Sequence, residues 1–210
     1  MSAQPEVFGL FPTPLMHVPA CLDVQAVAAL LAHLQNTEQT VNSHSGQLSH
    51  SRILSPASDP LLARASTLVM PHLCAFGALL FGQDLDWSIK EIWVNFLQPG
   101  GQQAMHNHAN CFISGVLYLT PIDDSASTVF SKGPGGRDYV FSNSGRQVGL
   151  NQFNAEKWVA PEMSPGDLVL FPSYLLHEVP TNRGGLRITL AFNAIPSRLD
   201  SWGYGISLSA

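Results

Sequence analysis

The 210-residue chain is 45% hydrophobic and only 12% charged, which supplies a full core and excludes a disordered or fibrous protein. Its net charge of -5, with no cluster of lysine or arginine, argues against nucleic acid as a partner. The low charge fits either extensive burial or a large subunit interface, so a homo-oligomer stays open. No uninterrupted run reaches the ~18 apolar residues that span a bilayer. Residues 1 to 10 lack a basic stretch followed by an apolar one. The expectation is a cytoplasmic protein with no membrane partner, and the widely spaced Cys21, Cys74 and Cys111 read as reduced thiols.

Residues 6 to 19, with Pro12, Pro14 and Pro19, read as an extended edge segment. Asp23 then stands as an N-cap before Val24, Val27, Leu30, Leu31 and Leu34 at helical spacing. Residues 36 to 58 are rich in Ser, Asn, Gln and His and read as a surface loop, with His44 and His50 in solvent. Ser58-Asp59-Pro60 starts a second helix, kinked or divided at Pro71 and ended by Gly82, so a helical part covers about 20–82. From Trp87 on, SIKEIWVNFL, CFISGVLYL, DLVLF and LRITLAFNAI are short β-branched and aromatic runs between Pro and Gly, a β core over about 85–196. Residues 131 to 157 are too long for a turn and suit a lid or binding loop, with the GPGG at 133 to 136 as its hinge. No repeat or boundary divides the chain, so one domain spans 1–210. Helices first and strands later predict an α+β, mainly β fold with the N-terminal helices packed on one face, its strand edges closed as in a jelly roll.

His106 and His108 precede a strongly apolar strand, and an extended backbone would put both imidazoles on one face with Cα atoms about 6 to 7 Å apart. Two such imidazoles form a bite for iron, copper, nickel or zinc and leave positions open for a third ligand and substrates. His177, beyond the Gly166-Asp167 turn and Pro172, is the third candidate. Arg187 follows ten positions later, and a hairpin centred near Asn182 would bring it opposite His177. An inward arginine needs a partner. A carboxylate ligand suits it, and Thr189 on the same face offers a hydroxyl to the same group. A dicarboxylic acid would then reach from Arg187 and Thr189 to a metal on His177, the geometry by which 2-oxoglutarate bridges arginine and iron. Tyr118 and Asn95 alternate correctly to face the same cavity and to hydrogen-bond a cosubstrate, or else to serve as an ordinary core tyrosine and a strand-end asparagine.

The order of these motifs, HNHANC, SGVLYL, SPGDLVLFPSYLLHEVP and RITLAFN, together with the opening LFPTPL, resembles the Fe(II)/2-oxoglutarate-dependent oxygenases. More narrowly, it is similar to a bacterial and phage group of this superfamily with an H-x-H-P-N-S…S-G-V-Y-Y-L signature. The resemblance implies a cupin-like double-stranded β-helix, a mononuclear Fe(II) centre, and the use of O2 and 2-oxoglutarate to oxidise a second substrate. It places iron on His106 and His177 and the distal carboxylate of 2-oxoglutarate on Arg187 and Thr189. Most of the superfamily has Asp or Glu where this chain has His108. If His108 binds, the centre is three neutral imidazoles.

Other readings stay open at this level. Ligands at His108 and Asn110, with His106 behind them, obey the same period. A vacant third position would be the arrangement of the related halogenases. Gly100 followed by His106-x-His108 copies half of a cupin metal motif without 2-oxoglutarate, although no Glu follows at the expected spacing and Arg187 would have no role. A further alternative is a non-catalytic metal- or acid-binding protein. Asp123-Asp124 reads as a turn, and Glu178 as pointing away from His177. The polar loops suit a small polar molecule or a peptide side chain as substrate, with Arg137, Arg146 and Lys157 as solvated loop charges.

Overall fold

The computed structural model describes residues 5–133 and 147–210. Two helices open the fold. In α1 (Val24–Leu34) the Asp23 carboxylate accepts the Ala26 N–H at 2.7 Å, and Ala26, Val27, Leu30 and Leu34 are buried while Val24 turns to solvent. Asp59 caps α2 (Pro60–Phe81) by accepting from the N–H groups of Leu61 and Leu62, and Gly82 closes it in the left-handed region at φ 69°. Pro71 does not divide α2, because the buried stripe of Leu62, Ala65, Val69, Leu73, Phe76 and Gly77 holds both halves on the sheet. With 22 residues and a mean hydropathy of 1.3 over its most apolar stretch, α2 is long and apolar enough to cross a membrane by length and composition. No uninterrupted run signals this, and in the fold its buried stripe is part of the main core.

The strands are β1 (Met16–Val18), β2 (Gln39–Val41), β3 (Leu48–Ser51), β4 (Trp87–Leu97), β5 (Gln103–His106), β6 (Ile113–Tyr118), β7 (Val129–Ser131), β8 (Lys157–Val159), β9 (Leu168–Pro172), β10 (Leu176–Val179), β11 (Arg187–Pro196), β12 (Arg198–Ser201) and β13 (Tyr204–Ser207). They form a seven-stranded sheet in the order β1-β9-β6-β11-β4-β3-β2, a four-stranded sheet β5-β10-β7-β8, and the separate pair β12-β13. The two larger sheets pack face to face as a double-stranded β-helix, with Phe130 of one stacked edge-on against Phe171 of the other at 5.1 Å. Period two divides β11 cleanly. Ile188, Leu190, Phe192 and Ala194 join the core under α1 and α2, whereas Arg187, Thr189 and Asn193, all buried, belong to the opposite face, between the sheets.

Three expectations need correction. Residues 36–58 are not all loop, since the β2–β3 hairpin adds two strands to the large sheet and brings His50 opposite Asn95. Residues 177 and 187 are not hairpin partners, because β10 pairs with β5 and β7 whereas β11 pairs with β4 and β6. The chain crosses between sheets there. Buried Asn182 holds the crossing, its N–H donating to the Gly101 carbonyl and its carbonyl accepting from Gly100. Of the expected lid, residues 134–146, with most of the GPGG hinge, Arg137 and Arg146, lie outside the described residues. Lys157 is not a free loop charge, because it begins β8 and pairs with Glu178 at 2.6 Å.

Candidate metal and cosubstrate site

Antiparallel pairing places His177 of β10 directly opposite His106 of β5, and the rings lie 4.2 Å apart. His108 lies past the end of β5, where its N–H donates to the Ser173 carbonyl, and its ring stacks beside His106 at 5.2 Å. One nitrogen from each of the three side chains lies within 4.8 Å of the others. Asn110, the alternative ligand, is exposed, with φ 58°.

The protein has already chosen the faces of these rings. Nδ1 of His106 sits 2.8 Å from the Ala104 carbonyl, Nδ1 of His177 sits 2.9 Å from the Leu175 carbonyl, and Nδ1 of His108 sits 2.6 Å from Oδ1 of Asn193. A carbonyl oxygen only accepts, so each Nδ1 carries a proton and Nε2 is the nitrogen left for a metal. This is the arrangement that orients imidazoles on a metal. Burial lowers the pKa of His108. Burial first, and then the neighbouring His106, hold His177 down at about 3, so both rings are neutral and able to donate to a cation. The donor set fits a divalent transition metal with nitrogen preference, and no protein carboxylate joins it directly.

The second half of the site is an arginine without an anion. Arg187 is 4% exposed, lies 5.4 Å above the Tyr118 ring, and donates one N–H to Oγ1 of Thr128 at 3.3 Å. Its Nε has no partner, and among the described residues no carboxylate pairs with it. Burial pulls its pKa down without making it neutral, since a guanidinium keeps its proton in proteins. A buried cation with spare donors calls for an anion, and a carboxylate matches its fork. Thr128 immediately precedes β7 and Phe130 lies within it, two residues or about 7 Å apart. Thr128 meets Arg187, and Phe130 lies 6.1 Å from His177, so this strand links the arginine to the histidines. Thr189 stands across from Tyr118 on one side and Asn95 on the other, in line with His50. Tyr118, Phe130, Phe171, Val169 and Met163 form a buried apolar cluster beside these residues.

Thr128, Ser114, Asn193 and Glu91 were not singled out from the sequence. A signal existed for two of them, since Ser114 and Asn193 are polar interruptions of apolar strands and pair across β6 and β11. Thr128 and Glu91 carried none, because their place depends on which strands become neighbours.

A double-stranded β-helix that encloses three convergent imidazoles and an unpaired arginine defines a mononuclear metalloprotein that takes an anionic ligand. Comparison with known proteins names the group. Residues 91–193, from the Glu91 strand to Asn193, match the sequence model of a family described as "Putative 2OG-Fe(II) oxygenase". Over residues 91–193 the chain carries the sequence pattern of the 2OG-Fe(II) oxygenases, a family whose members use Fe(II), 2-oxoglutarate and O2. No curated protein sequence matches it. Among solved structures, a 2OG-Fe(II) oxygenase-family oxidoreductase from Burkholderia pseudomallei is similar at TM-score 0.60 and 17% identity, covering 86% of this chain and 83% of that one. HygX from Streptomyces hygroscopicus, with nickel, 2-oxoglutarate and hygromycin B bound, is similar at TM-score 0.65 and 14% identity, covering 88% and 84%. A prolyl-4-hydroxylase from Pseudomonas putida gives 0.61 and 17%, covering 86% and 92%. At these identities the structural likeness speaks for the fold.

Proposed function

We propose that this oxygenase holds Fe(II) on Nε2 of His106, His108 and His177 and 2-oxoglutarate on Arg187, and that it hydroxylates a small molecule or a peptide side chain. The observation that carries this reading is the buried Arg187, short of an anion, at the Thr128 end of the stretch whose Phe130 lies against the three pre-oriented imidazoles. Bound iron supplies the activation of O2 that decarboxylates 2-oxoglutarate to succinate and oxidises the second substrate. The chain's own residues supply binding and orientation. Arg187 receives the distal carboxylate, with the hydroxyls of Thr189 and Thr128 beside it, and Tyr118 under the guanidinium fixes where that charge sits. Asn95, buried next to Thr189, lines the same face as a hydrogen-bonding neighbour of the cosubstrate. The buried apolar cluster of Phe130 and Phe171 beside these residues strengthens their electrostatic contacts. Trp93, whose ring lies 5.6 Å from that of His108, offers a flat surface for a substrate beside the metal position. The substrate class draws support from solved structures of similar fold that hold small molecules, such as hygromycin B and nogalamycin RO.

The test is anaerobic titration with Fe(II) and 2-oxoglutarate, watching for a weak charge-transfer band in the middle of the visible spectrum. A band that needs both components and vanishes in His177→Ala is the expected result. Metal binding without any band would favour a cupin-type protein that does not use 2-oxoglutarate.

A further inference from the structure

Behind His108 lies a polar chain that the reading above does not use. Asn193 Oδ1 lies 2.6 Å from His108 Nδ1, and Asn193 Nδ2 donates to Oε1 of Glu91 at 2.7 Å. The Ser114 hydroxyl lies 2.7 Å from Asn193 Oδ1 and 3.0 Å from both His108 Nδ1 and the Ser173 hydroxyl. Ser114, Ser173 and Asn193 are all buried. The polarity of this chain is set at one end. A carboxylate only accepts, so Glu91 admits the NH2 of Asn193 and not its oxygen. The amide oxygen must then face His108, and the imidazole must present Nδ1–H to it. Nε2 is left with the lone pair.

The backbone shows how Glu91 comes to face this way. Along β4 and β11, Asn193 pairs with Glu91 but Ala194 pairs with Ile89, so Lys90 is an extra residue in a β-bulge. Trp87 and Ile89 pack on the helix-facing core, and so do Ile92, Val94 and Phe96. Strict alternation from Ile89 would put Glu91 on that same apolar face. The bulge shifts the phase by one residue and turns the carboxylate onto the face shared with Asn193, a use of bulges seen beside active sites. Lys90 Nζ, 3.6 Å from Glu91, is the one cation the structure gives it among the described residues, and Glu91 keeps partial contact with solvent.

We infer that Glu91 is a positioning residue: acting through the Asn193 amide, it fixes the tautomer and orientation of His108 and lends the three-histidine centre, from outside the coordination sphere, the carboxylate that its ligand set lacks. This rests on His108 being a metal ligand, as proposed above. Replacing the acceptor-only carboxylate by an amide in Glu91→Gln keeps the shape but removes the direction. A glutamine can donate to the Asn193 oxygen, the asparagine can reverse, and His108 can then hold its proton on Nε2, where it blocks the metal.

The experiment uses the metal-free protein and Co(II) alone. Imidazole 15N–1H spectra should show His108 in wild type as a single Nδ1–H tautomer and in Glu91→Gln as a mixture. Co(II) affinity should fall about tenfold or more in Glu91→Gln, the range for partners that orient metal ligands. In a His108→Ala background the same substitution should change Co(II) affinity by less than about twofold, because the coupling runs through that imidazole. An Nε2–H tautomer in wild type would overturn the inference, as would an unchanged affinity in Glu91→Gln or an equal loss in both backgrounds. His108→Ala with undiminished Co(II) affinity would remove His108 from the ligand set instead, and the wild-type and Glu91→Gln spectra would still decide whether Glu91 orients it.

Discussion

The two faces of the seven-stranded sheet are built on opposite terms. Toward α1 and α2, the alternate residues of β4, β6, β9 and β11 are Ile92, Val94, Phe96, Ile113, Leu117, Leu168, Leu170, Ile188, Leu190 and Phe192, a surface that stabilises by removing apolar area from water. Toward the four-stranded sheet, the same strands present Glu91, Asn95, Ser114, Tyr118, Arg187, Thr189 and Asn193, of which Ser114, Asn193 and Glu91 are hydrogen-bonded in a chain and Tyr118 and Arg187 share Thr128. Folding free energy is concentrated on one face and chemistry on the other, one residue apart along each strand. The exception on the chemical face is the under-paired Arg187, which burdens the folded protein until an anion arrives.

Substitutions that separate the two faces test this division, and the largest effects belong to the inner one. His177→Ala should abolish metal binding and turnover. Arg187→Ala should leave metal affinity within about threefold but weaken 2-oxoglutarate by roughly a hundredfold, the worth of about two charge-assisted hydrogen bonds. Calorimetric titration of each ligand checks both variants. On the outer face, Phe192→Ala should cost ~3–5 kcal/mol of stability in urea denaturation and leave metal affinity unchanged. Gly115 makes room for that ring, since a Cβ there would stand 2.1 Å from it, and Gly115→Ala should cost about 1–3 kcal/mol by overpacking.

The pH dependence of the metal-free protein sharpens the contrast. His177 has a pKa of about 3 in the fold, because of burial first and His106 next, against ~6.5 in the unfolded chain. The unfolded state therefore takes up the proton first, so this contribution to stability is fully present above about pH 6.5 and is lost as pH falls toward 3. The slope should reach up to ~1.4 kcal/mol per pH unit from this group. Urea midpoints at pH 7.5 and 5 would measure it, and His177→Gln should flatten the difference. The smallest effect has the opposite sign: Arg187→Met should raise the stability of the protein without 2-oxoglutarate by about 1–2 kcal/mol, since it replaces an under-paired charge by an apolar chain of similar length.

The sequence was legible wherever local chemistry decides. Asp23 and Asp59 announce both helix starts, Gly82 announces a stop, and the long apolar runs became β4, β6, β9 and β11. Polar alternation was harder to see. β2 and β3 carry Gln39, Thr40, Ser49 and His50 and owe their structure to pairing along β4, so no apolar pattern reports them. Pro71 looked like a break because propensity is local, whereas the buried stripe that overrides it is not. His106, His108, His177 and Arg187 could be picked out by residue type and order. Their relation could not, because His177 and Arg187 stand on two different sheets and not across a hairpin, with Asn182 and its bonds to Gly100 and Gly101 at the crossing. Glu91 was hidden for a related reason, since a one-residue bulge decides which face it joins.

The three Nδ1 contacts to Ala104, Leu175 and Asn193 have a further consequence, for selectivity. A site whose imidazoles are aimed beforehand pays little to rearrange when an ion enters, and it offers no hard carboxylate to bias the choice toward iron. Divalent cobalt, nickel, copper and zinc all stand above Fe(II) in affinity for nitrogen donors. Such a pocket accepts whichever of them is most available, so the identity of its metal is set by supply in its surroundings, and protein recovered from a zinc- or nickel-rich medium should carry those ions in place of iron.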